Sequence, residues 1–156
     1  MKWRIWFWML VLVAGCGGID ASAIPVRLGV GGTWGITPVA FSFIGGAGRL
    51  ELASKAFGVL AEATALADIR ADDWALYLDS AVVFYISNSY VGVGGGWARW
   101  EDTAGRDRGV WTQTYLKLLV GQEFSLLSLP AYIQLNITLG QWSWLQPAVT
   151  AGIWLK

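Results

Sequence analysis

Hydrophobic and polar positions alternate with period two along most of this chain. Ala131-Tyr132-Ile133-Gln134-Leu135-Asn136-Ile137-Thr138-Leu139 does so without a fault, with Ala, Ile, Leu, Ile and Leu on one face and Tyr, Gln, Asn and Thr on the other. Successive side chains of an extended strand point to opposite sides, so this is the signature of a strand between two unlike surroundings. The C-terminal stretch repeats it, Leu145, Pro147, Val149, Ala151, Ile153 and Leu155 opposing Gln146, Thr150, Gly152 and Trp154. Nearer the start, Val26, Leu28, Val30, Trp34 and Ile36 oppose Arg27, Gly29, Gly31, Thr33 and Gly35. Further strands are predicted over 74–86, 90–99 and 111–124, the first carrying Trp74, Leu76, Leu78, Val82, Phe84 and Ile86 on one face.

Residues 49–69 admit two readings. One is a pair of strands, 49–54 and 58–68, turning at Lys55-Ala56-Phe57; the other is an Ala-rich helix in which Glu51 and Lys55 stand at i, i+4. The strand pair is favoured, since Gly58 weakens a helix and a lone helix would leave an odd number of strands. The total is then about eight. Short links at Lys55-Ala56-Phe57, Ser87-Asn88-Ser89 and 125–130 alternate with links at 37–48, 69–73, 101–109 and 140–144. Tight turns on one rim and longer loops on the other is the layout of an all-β, antiparallel up-and-down transmembrane barrel.

Alternation alone leaves open which face meets water, and a soluble, lipocalin-like barrel with an apolar ligand inside has the same period. Composition bears on this choice. The chain has 156 residues, 55% of them apolar and 14% charged, against about a quarter charged in an ordinary soluble domain. Its polar face carries Gly, Thr, Gln, Asn and Tyr with isolated charges, whereas a water-facing exterior should be dense in Lys, Glu, Asp and Arg. The apolar face is therefore assigned to membrane lipid. Parity then turns Arg27, Glu51, Glu62, Asp79, Lys117 and Glu123 into the lumen, where Arg27 and Lys117 are expected to pair with the carboxylates and close the channel. Trp74, Trp100, Trp111, Trp142, Trp144 and Trp154 lie near strand ends and are assigned to interfacial girdles.

Absences narrow the chemistry. With eleven basic and eleven acidic residues there is no basic stripe for a nucleic-acid backbone, so nucleic acid is not expected as a partner. There is no histidine and one cysteine, which excludes serine–histidine and cysteine–histidine catalysis and the common zinc sites. No catalytic residue, metal or cofactor is expected, and the chain is read as a non-enzymatic monomer. The clusters Gly29-Val30-Gly31-Gly32 and Gly92-Val93-Gly94-Gly95-Gly96 do not match the dinucleotide fingerprint and open no predicted helix.

Residues 1–23 have the form of an export signal: Lys2 and Arg4, an apolar run over 5–15, then Ala21-Ser22-Ala23 as a cleavage site. The apolar run is too short to span a bilayer as a helix. Val13-Ala14-Gly15-Cys16 has the form of a lipobox, making Cys16 a candidate lipidation site in competition with cleavage after Ala23. A single barrel domain is expected over 24–156.

Over nearly all of that length the chain resembles the small, eight-stranded outer-membrane β-barrel proteins of bacteria. The likeness rests on Tyr90-Val91-Gly92-Val93-Gly94-Gly95-Gly96-Trp97-Ala98-Arg99-Trp100, similar to a Tyr/Gly-rich strand common in that group, and on Gly121-Gln122-Glu123-Phe124, similar to the strand after its large loop. The resemblance implies an outer-membrane location and a recognition or structural role carried by the loops. The chain ends Ile153-Trp154-Leu155-Lys156, where such barrels usually end on an aromatic residue.

Overall fold

The computed structural model describes residues 25–36, 42–68, 74–102, 109–140 and 146–155. Among these residues are eight strands: β1 (Val26–Ile36), β2 (Ser42–Ala53), β3 (Phe57–Asp68), β4 (Trp74–Ile86), β5 (Ser89–Asp102), β6 (Gly109–Leu126), β7 (Leu129–Gly140) and β8 (Gln146–Leu155). Each pairs antiparallel with its neighbours in sequence, and β8 pairs back onto β1, so the sheet closes into an up-and-down barrel. Closure removes the unpaired edges that an open sheet would present.

The stretch with two readings is the hairpin β2–β3. Its turn is held by the Ser54 amide, which donates to the Phe57 carbonyl at 2.7 Å, and by the Ser54 hydroxyl, which donates to the same carbonyl at 2.8 Å. Helix propensity is worth only tenths of a kcal/mol per residue. In β3, Leu60, Glu62, Thr64 and Leu66 are buried on one face while Ala61, Ala63, Ala65 and Ala67 are exposed on the other, a two-residue period that no helix satisfies.

Several boundaries differ from the sequence expectation. The link placed at 37–48 is shorter, because β2 begins at Ser42. Gly45, Gly46 and Gly48 carry no side chains whose alternation could be read, yet Gly46 pairs with Gly32 and Gly48 with Ala63. The turn placed at 125–130 narrows to Leu127 and Ser128, and β5 and β6 run on to Asp102 and Gly109. Residues 1–23 with Cys16, the loop 103–108, and Trp142 and Trp144 lie outside the described residues.

The three short turns share one end of the barrel with Val26 and Leu155. Between the ends, burial is inverted relative to a water-soluble protein. Leu28, Leu50, Leu78, Phe84, Leu118 and Leu135 are 40–53% exposed on the outside, whereas Lys117, Glu51, Gln134 and Thr150 are at most 2% exposed inside.

Candidate functional site

The inward positions of the eight strands build a layered interior of polar, charged and aromatic side chains. Nearest the short turns, Arg27 of β1 reaches across the barrel. Its Nη2 donates to Glu51 of β2, to Glu123 of β6 and to the Tyr85 hydroxyl of β4, each at 2.7 Å, and its Nη1 donates to the other Glu123 oxygen at 3.0 Å. Tyr85 in turn donates to the second oxygen of Glu51. One guanidinium thus ties four strands, because its planar fork offers several donors in fixed directions.

The second layer is centred on Arg49 of β2, which is 3% exposed. It donates to the Tyr90 hydroxyl and to Gln134 Oε1, both at 3.2 Å. Among the described residues it forms no ion pair. Its charge is met instead by ring faces, its Cζ lying 4.3 Å from the Tyr132 centroid and 4.5 Å from that of Trp154. Arg27 stands 4.2 Å from the same Trp154 ring, so Trp154 is in contact with both guanidiniums. A desolvated contact of this kind contributes about 2 kcal/mol.

Further in, Lys117 Nζ of β6 donates to Glu62 of β3 and to Asp79 of β4, each at 2.8 Å, and Tyr115 donates to the other Asp79 oxygen at 2.8 Å. Beside this triad runs an amide and hydroxyl chain. Gln134 donates to Asn136 at 2.6 Å, Asn136 donates to Thr150 at 3.2 Å, and Thr150 and Thr33 share a hydrogen bond at 3.0 Å. Toward the long-loop end Phe43, Tyr77, Tyr115 and Trp100 pack edge to face, with centroids 5.7 to 5.8 Å apart. Isolated buried charges would be prohibitive. Here the cations Arg27, Arg49 and Lys117 lie among the carboxylates Glu51, Glu62, Asp79 and Glu123, all engaged by hydrogen bonds, and Asp68 is buried on the same face of β3 as Glu62.

Glycine makes this filling possible. Tyr90 of β5 pairs with Gly121 of β6, and a Cβ at Gly121 would overlap the Tyr90 ring, so the ring lies flat over the only residue type that admits it. The glycine clusters of the sequence therefore belong to strands. A concavity of about 880 Å³ is lined both by outward residues such as Leu28, Leu50 and Trp97 and by the inward charges Arg49, Glu62 and Asp79, whereas the space beside Lys117, Tyr115 and Asn136 holds about 50 Å³.

All six charges assigned to the lumen from parity point inward, as two groups: Arg27 with Glu51 and Glu123, and Lys117 with Glu62 and Asp79. Arg49 was missed although it sits two residues before Glu51 and so shares its face. The girdle assignment needs correction. Trp74 and Trp111 are exposed near the long-loop end, but Trp100 packs into the aromatic layer and Trp154 is 5% exposed against the two arginines. A tryptophan near a strand end is apolar toward either side, and parity decides which side it meets.

No protein-family model matches the chain, and no curated protein matches it. Among solved structures it is similar to Neisserial surface protein A, with a TM-score of 0.56 and 13% identity over 84% of this chain and 95% of that one. That likeness is one of fold, a closed eight-stranded antiparallel barrel.

Proposed function

We propose that this chain is a monomeric bacterial outer-membrane barrel, non-enzymatic, whose lumen is closed by its own side chains and whose recognition or structural role is carried by the long-loop end. The observation that supports it best is the inversion of burial: aliphatic side chains cover the outside while charged and amide side chains fill the inside. Closed barrels are one of the two backbone arrangements that satisfy every peptide group within hydrocarbon. The similar solved structure is called a surface protein, which supports the same location. Interior residues hydrogen-bonded across the barrel from β1 to β6 support a closed lumen. The alternative, a soluble barrel carrying an apolar ligand, loses support because Lys117, Glu51, Gln134 and Thr150 are buried inside while aliphatic side chains are exposed outside.

The test is solubility with conductance. The mature protein should leave membranes only with detergent, and reconstituted in planar bilayers it should show no large, steady conductance. A protein that stays monomeric in detergent-free buffer would overturn the membrane reading, and a steady open channel would overturn the closed lumen.

A further inference from the structure

The three short turns are chemically unequal. Two have polar tips, Ser54-Lys55-Ala56 between β2 and β3 and Ser87-Asn88 between β4 and β5. The third, between β6 and β7, reads Phe124-Ser125-Leu126-Leu127-Ser128-Leu129-Pro130, and Leu127 at its tip is 91% exposed. Leu126 and Leu129, paired across the hairpin, are 54% and 49% exposed. The hairpin also reaches further than its neighbour, since β5 begins at Ser89 opposite Gln122 and leaves the last residues of β6 without a β5 partner.

The backbone makes the composition more telling. Leu127 and Ser128 have φ of 51° and 69°, both in the left-handed region. Two-residue turns of this type favour Asn-Gly or Asp-Gly, and leucine is disfavoured there by its Cβ. Turn formation therefore does not explain Leu127, and its side chain, touching almost nothing, does not stabilise the fold. What remains is contact with something apolar outside the chain.

We infer that the β6–β7 hairpin tip is a lipid-contacting anchor that dips into the headgroup and acyl boundary at the short-turn side while the other two turns stay in water, so that the barrel sits lower on that side. The inference rests on the membrane reading above. Lipid is the occupant because Phe124, Leu126 and Leu129 continue the outward face of Val120, Ile133 and Leu135, on which Gln122 is the one polar side chain between them. No charged residue occurs between Glu123 and Lys156, and the hairpin tip over 125–129, built of Ser and Leu, lacks the aromatic, Met and Arg side chains in which protein interfaces are enriched. Aliphatic side chains with serine between them suit the boundary region, which is about 5–10 Å deep for interfacial segments.

The experiment uses the mature protein in vesicles of phosphatidylethanolamine and phosphatidylglycerol, with an environment-sensitive fluorophore on Leu127→Cys, Asn88→Cys or Leu135→Cys in turn, in a Cys16→Ser background if Cys16 is retained. Acyl-chain-brominated lipid should quench the probe at Leu127→Cys by about twofold and at Leu135→Cys by at least as much, leaving Asn88→Cys within about a tenth of its unbrominated signal. A probe at Leu127→Cys that matches Asn88→Cys while Leu135→Cys is quenched overturns the anchor and keeps the membrane barrel. No quenching at Leu135→Cys overturns both. A Leu127→Cys probe shielded from aqueous iodide yet insensitive to brominated lipid means a protein contact, and overturns lipid as the occupant.

Discussion

Replacing Lys117 by Met removes the one cation between Glu62 and Asp79 while keeping the length and apolar stem of the side chain. All three groups are at most 3% exposed at the side chain, so water cannot take over the lysine's role. Removing one partner from a buried ion pair costs about 3–5 kcal/mol, chiefly because the remaining charge is left buried without compensation. Two carboxylates are stranded here, which pushes toward the upper end. Tyr115 still donates to Asp79 and Gln134 to Glu62, which pulls the other way. A loss of about 4 kcal/mol is therefore expected, read from urea unfolding in detergent micelles by tryptophan fluorescence and by gel mobility of the heated and unheated protein. The same side chain in a solvated setting would cost under about 1 kcal/mol. The triple variant Lys117→Met, Glu62→Gln, Asp79→Asn supplies the control: with the charges gone together, stability should return to within about 2 kcal/mol of wild type. A single-variant loss within error of zero, or a triple variant no better than the single, would refute the assignment of a buried, mutually compensated triad.

Leu135→Arg, on the outer face of β7 at a position 42% exposed, should cost about 2–4 kcal/mol if lipid surrounds it and under about 0.5 if water does, as measured by unfolding in vesicles. Gly121→Ala should lower stability by about 1–3 kcal/mol in the same assay, because the new methyl group collides with the Tyr90 ring; a neutral result would mean that the ring is free to leave. Trp154→Leu removes the ring between Arg27 and Arg49 and should cost about 2–4 kcal/mol, whereas Trp111→Leu, exposed at the long-loop end, should cost under about 1; equal losses would return Trp154 to the girdle. Mass spectrometry of the mature protein should find Ile24 at its N-terminus, and a chain beginning at a lipid-modified Cys16 would show the lipobox to be the site used.

The sequence by itself determined the number of strands, most of their spans and which side chains share a face. Those depend only on the two-residue period of an extended chain, which Ala131 to Leu139 displays with nothing else known. The six charges assigned to the interior follow from the same parity. Where glycine replaces side chains, as at Gly45, Gly46 and Gly48, the period falls silent, and the pattern predicts a link over 37–48 where β2 already begins at Ser42. Only the closed tertiary structure decided which charges meet. Arg27 and Glu123 are 96 residues apart, and Lys117 and Glu62 are 55 apart. Each pair spans strands that are not neighbours in the sheet, so their meeting depends on the curvature and stagger of the whole barrel, which no local pattern encodes. Arg49 is the clearest case: it shares the face of Glu51 yet is not among the six charges assigned to the interior, and that its charge rests on Tyr132 and Trp154 is visible only once β8 has closed against β1 beside β2.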